Sequence, residues 1–258
     1  MKLLTMPSIK VLVKATSILE HVANAAPGPV LPGEIAAACD INPATTVRIM
    51  RDLLAAGLLR QSSRRQGYVL GPLAFKLGQA CAWEQRLARA AGPVVDDGAR
   101  NLRCAALLAI REGEHRYVLC DRNGTGNPLC DAHGVCHRDL YSTATGRVLL
   151  AYAPPDEAAR ITAAYGAPHA EAWPAVAGRG GLARALAAIR SDGLAFKDDG
   201  THTAVATPVF ANDRFAAAFG LVVASKDCSA ELSARLRTAA RHGAAASSKA
   251  LSSNQAAG

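Results

Sequence analysis

The spacing of apolar and polar positions divides the first seventy or so residues into three helices and two short strands. From Ile9 to Ala25, Val11, Ala15, Ile18, Leu19 and Val22 share one side of a helix, which Pro27-Gly28-Pro29 stops. A short helix from Pro32 to Cys39 and a tight Asp40-Ile41-Asn42 turn lead into a longer helix that opens on Pro43. In it Thr46, Ile49, Met50 and Leu53 recur at i, i+3, i+4 and i+7, which predicts one buried stripe. Asn42 is placed to cap its start, and Gly57 to end it in the left-handed conformation. Leu58 to Gln61 and Tyr68 to Leu70 then read as two strands around a polar turn, Ser62 to Gly67.

Beyond Pro72 the pattern is helical to about residue 103, with a break expected at Gly92-Pro93. The period then changes to that of strands. Cys104–Ile110 and Tyr117–Asp121 form an expected hairpin, Leu129–His137 a strand or loop, and Leu140-Tyr141-Ser142 a short strand. Thr143 opens a helix running to Ala151. Two more follow, after Pro154-Pro155 and from Gly181 to a stop at Gly193. A last hairpin, Thr203–Phe210 with Phe215–Ala224, precedes a terminal helix from Ser229 to Ser248. Strands and helices in this order predict an α+β chain whose second part is an α/β sandwich with a mainly antiparallel sheet.

The order helix, short helix, tight turn, longer helix, basic hairpin is that of a winged helix-turn-helix. The outer face of the third helix carries Ala44, Thr45, Arg48 and Arg51, with Asn42 at its start. Small residues, a hydroxyl and guanidinium groups suit a DNA major groove. Arg64 and Arg65 on the hairpin turn could reach phosphates or the minor groove. The competing readings are a solvated amphipathic helix and a solvated turn.

Charge favours the first reading. Of 258 residues 19% are charged, and the net charge is +8. Residues 1–80 hold nine Lys and Arg against four Asp and Glu, whereas the remainder is nearly balanced. Lys10 and Lys14 interrupt the early apolar stretch, and the longest apolar run, Phe215–Ala224, is too short to span a bilayer. Seven cysteines without framework spacing fit a reducing compartment, so a cytoplasmic protein with no membrane partner is expected.

The segment Ile41 to Gly57 followed by Tyr68-Val69-Leu70-Gly71-Pro72 resembles the IclR family of bacterial transcriptional regulators. Arg48 matches that family's recognition-helix arginine, Gly57 its terminating glycine, and Tyr68 with Gly71 its closing motif. Pro43, Ala44 and Thr46 depart from the usual pattern. Farther on, Leu140 to Ala151 resembles the element beside the family's effector pocket, and Ala204 to Phe210 its A-x-A-x-P-V-F strand. The likeness runs from about residue 9 to 225. It implies a winged helix-turn-helix at 1–71, a linker helix at 72–88 and a GAF-like effector domain at 89–258. It also implies a homodimer or homotetramer on a double-stranded DNA operator. Whether Arg48 braces the module or touches DNA stays open at this point.

The same resemblance places the pocket between the sheet and the Thr143–Ala151 helix, bordered by Cys136, His137, Tyr141, Thr143, Ala144, Val205 and Val222. Backbone N–H groups at the start of that helix could receive a carboxylate. Lys197 to His202 lacks the family's usual glutamate, and Gly220 and Val222 stand where small hydroxyl residues are common. A comparatively apolar wall is therefore expected, and with it a small organic acid with a hydrophobic or aromatic body as effector.

Two other chemistries compete. Cys130, His133, Cys136 and His137 are legitimate metal ligands, but four in eight residues match no standard zinc spacing. A metal- or redox-sensing regulator is the alternative they support. A thiol enzyme using Cys130 or Cys136 is the other; no nucleophile elbow, phosphate loop or His-Glu-x-x-His pair accompanies it. No enzyme and no cofactor are expected. Cys39, Cys81, Cys104, Cys120 and Cys228 read as small core residues, and His169 and His242 as surface residues.

Overall fold

The computed structural model describes residues 9–25, 28–63, 67–125 and 136–253. The chain divides into two compact units, one up to Ala82 and the other from Trp83 onward.

The first unit contains α1 (Lys10–Asn24), α2 (Pro32–Ala38), α3 (Pro43–Ala55), β1 (Leu59–Ser63), β2 (Gly67–Leu70) and α4 (Pro72–Gln79). Its core joins Ile18 and Val22 of α1, Ile35 of α2, and Ile49, Met50 and Leu53 of α3 with Val30, Ile41 and Leu59. Both ends of α3 are closed by local chemistry. Asn42 Oδ1 accepts from the Ala44 N–H at 3.0 Å. At the far end Gly57, at φ +74°, and Leu58 donate to the Leu54 and Leu53 carbonyls, a complete Schellman closure. β1 and β2 pair antiparallel, and Val30 adds a two-hydrogen-bond bridge to Tyr68. One expectation fails here. Val11 is 56% exposed, as are its neighbours Ile9, Leu12 and Val13 to similar degrees, because only the later turns of α1 reach the core.

The second unit begins with α5 (Ala82–Leu102), which runs unbroken through Pro93. The expected break at Gly92-Pro93 is absent. The chain turns instead at Ala80 and Cys81, after α4. Leu87, Ala91, Val95 and Ala99 bury one stripe of α5, which offsets the roughly 3 kcal/mol cost of an internal proline.

Six strands form one antiparallel sheet: β3 (Ala105–Glu112), β4 (His115–Asn123), β5 (Cys136–His137), β6 (Ala195–Asp198), β7 (His202–Ala211) and β8 (Arg214–Ala224). Their order is β5-β4-β3-β8-β7-β6. Asn212 and Asp213, both at positive φ, make the tight β7–β8 turn that the strand twist favours. β6 carries no sequence signal of its own and completes the sheet edge against β7. Leu140-Tyr141-Ser142 is a turn rather than the expected strand. Asp139 O accepts from Ser142 N–H and from the Thr143 hydroxyl, so its hydrogen bonds close locally.

Helices cover both faces of this sheet. On one, α5 and α9 (Ala230–Ser253) enclose Ala106, Leu108, Val205, Phe219 and Leu221. On the other, α6 (Ala144–Ala151), α7 (Pro155–Tyr165) and α8 (Gly181–Asp192) cover Leu107, Ala109, Ala204, Ala206 and Ala218. Among the described residues no helix is long and apolar enough to cross a membrane.

Candidate functional site

On α3 the buried stripe and the free face separate cleanly. Thr46, Ile49, Met50 and Leu53 are buried, and the Thr46 hydroxyl is satisfied by Asn42 O at 3.2 Å. Asn42, Ala44, Arg48 and Arg51 are exposed, while Thr45 is half-buried beside the stripe. The Arg48 side chain makes no hydrogen bond or ion pair with the described residues, so it braces none of them. Arg51 lies 3.8 Å from Asp52, and both side chains are three-quarters exposed, so solvent screens the pair almost entirely. Val47, not anticipated as a site residue, is 56% exposed on the same face as Arg48 and Arg51. An apolar group there is suited to a thymine methyl. Arg64 and Arg65 lie outside the described residues.

In the second unit a cavity of about 320 Å³ lies between the sheet and the start of α6. Its size is that of a small-molecule site. Of the anticipated residues, His137, Thr143, Ala144, Val205 and Val222 line it. Val205 does so from the cavity's edge, since its side chain belongs to the core on the opposite face. Tyr141 does not line it. The Tyr141 hydroxyl donates to Gly166 O at 3.0 Å, and its ring packs against Tyr165 and Trp173. The backbone of Cys136 pairs with Tyr117 in β5, and its side chain is outside the described residues, as are Cys130 and His133. Among the described residues no group of three or more metal-ligating side chains converges.

The start of α6 is organised by Thr143. Its hydroxyl oxygen accepts from the Gly146 N–H at 3.0 Å and donates to Asp139 O at 3.1 Å. Helix geometry leaves the N–H groups of Ala144 and Thr145 without intrahelical acceptors, and both residues line the cavity. Small residues on the sheet make the room: Ala105, Ala204 and Gly220 stand opposite the helix. Gly220 also sets the approach of α6, because a Cβ there would lie 2.6 Å from Thr145 Cγ2.

The β8 side of the cavity is apolar, as Gly220 and Val222 imply, but the β4 and β6 sides are not. A bulge is the cause. Leu108 pairs with Cys120 and Ala109 with Val118, so Leu119 is an extra residue in β4. The side chains of Arg116, Val118, Asp121 and Asn123 therefore all serve the cavity wall, which unbroken alternation would forbid. The Arg116 guanidinium is buried and holds Asp139 through two bonds, at 2.8 and 2.5 Å. Lys197 of β6 also reaches the cavity and pairs with Asp199 at 2.5 Å. That bond, with the His202 and Thr201 N–H groups, holds the Asp199 carboxyl well below its ordinary range.

Behind α6 lies Arg147, 2% exposed, with no carboxylate in contact among the described residues. Its guanidinium donates to the carbonyls of Tyr141, Ala172 and Phe196 at 2.9, 2.8 and 3.2 Å and stacks on Trp173. Burial pushes its pKa down to about 10. It ties the turn before α6 to β6 and to the segment beneath Trp173. Cys39 and Cys120 are half-buried and Cys104 is fully buried, whereas Cys81 is exposed rather than in a core. His169 and His242 are exposed.

A winged helix-turn-helix followed along the chain by an α/β domain with a small-molecule cavity defines a DNA-binding transcriptional regulator with an effector domain. The helix-turn-helix domain of the IclR proteins matches residues 11–63, and the bacterial transcriptional regulator IclR C-terminal domain matches residues 79–249. The chain belongs to the IclR family of bacterial transcriptional regulators. Solved structures share the fold at low sequence identity. An IclR regulator from Alicyclobacillus acidocaldarius superposes with a TM-score of 0.68 at 20% identity, over 95% of this chain and 99% of that one. The Thermotoga maritima IclR gives 0.64 at 21%, over 95% and 99%. A homologue from Microbacterium hydrocarbonoxydans, complexed with 4-hydroxybenzoate, gives 0.65 at 17%, over 93% and 98%. No curated protein matches the chain by sequence comparison.

Proposed function

We propose that this regulator acts in the cytoplasm as a homodimer or homotetramer on a double-stranded DNA operator. In this reading its signal is a small organic acid with a hydrophobic or aromatic body, and the controlled genes serve that acid's metabolism. The observation that carries the proposal is the cavity itself. Its volume of about 320 Å³ suits a ligand of roughly ten heavy atoms. Ala144 and Thr145, whose N–H groups have no intrahelical acceptor, line it at the start of α6, and a helix N-terminus favours a carboxylate. The apolar β8 wall suits the ligand's body. That a relative of the same fold was solved with 4-hydroxybenzoate supports an acid of this class.

On DNA, α3 lies in the major groove, with Arg48 and Arg51 directed to bases or phosphates and Arg64 and Arg65 on the wing. A single such helix makes few base contacts, so two-fold pairing on a palindromic operator supplies the affinity. The acid binds one conformational state of the oligomer better and so shifts the population between operator-bound and free forms.

The test combines two measurements. Gel shifts of the region upstream of the protein's own gene should show sequence-dependent binding that weakens steeply with salt. Thermal denaturation should show stabilisation by benzoate or hexanoate and none by oxalate or zinc. Sequence-indifferent binding refutes the operator reading. Stabilisation by zinc alone, lost in Cys130→Ser or Cys136→Ser, replaces the acid with a metal.

A further inference from the structure

The cavity has a second polar end. β-Sheet register fixes its position: Gly220 of β8 pairs with Leu107 of β3, and Leu107 pairs with Asp121 of β4. Thr145, at the start of α6, sits directly over Gly220. Asp121 is therefore two strand spacings, roughly 10 Å, from the anion-favouring end. The row between them is the side chain of Leu107, one of the residues lining the same cavity.

Among the described residues Asp121 is the cavity carboxylate with no ion-pair partner in contact, although the charge of the adjacent Arg122 acts on it through space. Asp139 is held by Arg116, and the neighbouring Arg122 is engaged by Asp96 at 2.5 Å. The Asp121 side chain forms no ion pair or hydrogen bond with the described residues. Its orientation is built in rather than incidental. Leu119 and Cys120 both pack into the core on the opposite face, and the extra residue returns Asp121 and Asn123 to the cavity wall. A carboxylate so placed gains nothing from a simple fatty or aromatic acid whose far end cannot donate a hydrogen bond, and it favours one whose far end can.

We infer that Asp121 is a specificity-determining residue, and that the effector is an acid carrying a hydroxyl or amino donor at the end remote from its carboxylate. The inference rests on the organic-acid reading of the cavity. It adds which acids are distinguished and by which side chain. Substrates of this shape arise when an unsubstituted acid is hydroxylated or aminated at its far end, so the regulator would report the functionalised acid in preference to its parent.

Calorimetric titration of the full-length protein with two matched pairs tests it: benzoate with 4-hydroxybenzoate, and hexanoate with 6-hydroxyhexanoate. The hydroxy acid of each pair should bind about tenfold more tightly, as expected for a hydrogen bond to a charged group at a partly exposed site. In Asp121→Ala the ratio should fall to about one, with the parent acid bound as well as before or better. Asp121→Asn, which can still accept a hydrogen bond, should retain an intermediate preference. Asp121 is exposed, so both variants should keep the wild-type melting temperature. Equal binding within each pair, or a preference that survives Asp121→Ala, overturns the role of Asp121 alone. Binding of none of the four acids overturns the organic-acid reading, and this inference with it.

Discussion

Gly220 and Thr145 offer a double-mutant test of how α6 is seated above the cavity. Gly220→Ala adds one methyl group to a buried strand position whose φ any residue can adopt. Two effects oppose each other. Replacing glycine within a strand should stabilise by about 0.5–1 kcal/mol, because the unfolded chain loses conformational freedom. The new Cβ, however, would lie 2.6 Å from Thr145 Cγ2, about an ångström inside ordinary carbon–carbon contact. Thr145 is 5% exposed and β-branched, so its side chain has little freedom to yield. Overpacking of this kind costs about 1–3 kcal/mol. Gly220→Ala should therefore destabilise the second unit by about 0.5–2 kcal/mol in the wild-type background.

Thr145→Ser removes the obstructing methyl group at a cost of about 1 kcal/mol. In that background Gly220→Ala meets no obstruction, and its effect should reverse to a stabilisation of about 0.5–1 kcal/mol. The coupling energy between the two sites is then about 1–3 kcal/mol and favourable to the double variant. Urea unfolding of a Trp83→Phe background measures it, since the remaining Trp173 is 3% exposed within the core beneath α6. An equal Gly220→Ala effect in the presence and absence of Thr145→Ser would show that the two do not touch, and would refute the account of how the cavity is roofed.

Arg48→Ala and Arg51→Ala should each leave unfolding unchanged, because both side chains are exposed, and lower operator affinity by about 1–3 kcal/mol if they read bases; unchanged affinity in both variants would remove α3 from the DNA interface. Arg147→Met leaves three backbone carbonyls without their donor and should cost about 3–5 kcal/mol in urea unfolding, and a cost below 1 kcal/mol would show that Trp173 packing alone secures this corner. The Asp199 carboxyl titrates lower in the folded than in the unfolded state, so its stabilisation is full above the unfolded carboxylate range and fades as pH falls through that range toward its own lower value. Asp199→Asn should therefore lower stability at pH 7 and match the wild type at low pH, and a difference that does not depend on pH would contradict the assignment.

The helix-turn-helix was legible in the sequence because its determinants are local. The Thr46, Ile49, Met50, Leu53 stripe, the Asn42 cap and the Gly57 closure each lie within a few residues of what they control, and all three stand in the structure where the sequence put them. The start of α6 was legible for the same reason, since Thr143 caps its own helix. Local signals also misled where a nearby partner was absent from view. Pro93 looked like a helix break, but the burial of Val95 and Ala99 against distant strands carries α5 through it. Val11 reads as a core residue, but among the described residues no element of the first unit reaches the opening turn of α1. The polar side of the cavity was decided only by the tertiary structure. Arg116, Asp121 and Lys197 come from two strands on opposite sides of β3, β8 and β7, and their common wall depends on strand register and on one extra residue at Leu119. Alternation along a strand fixes which side chains share a face only while the ladder is regular. A bulge reverses the assignment, and it is set by pairing with a neighbouring strand, which the order of residues along β4 does not record.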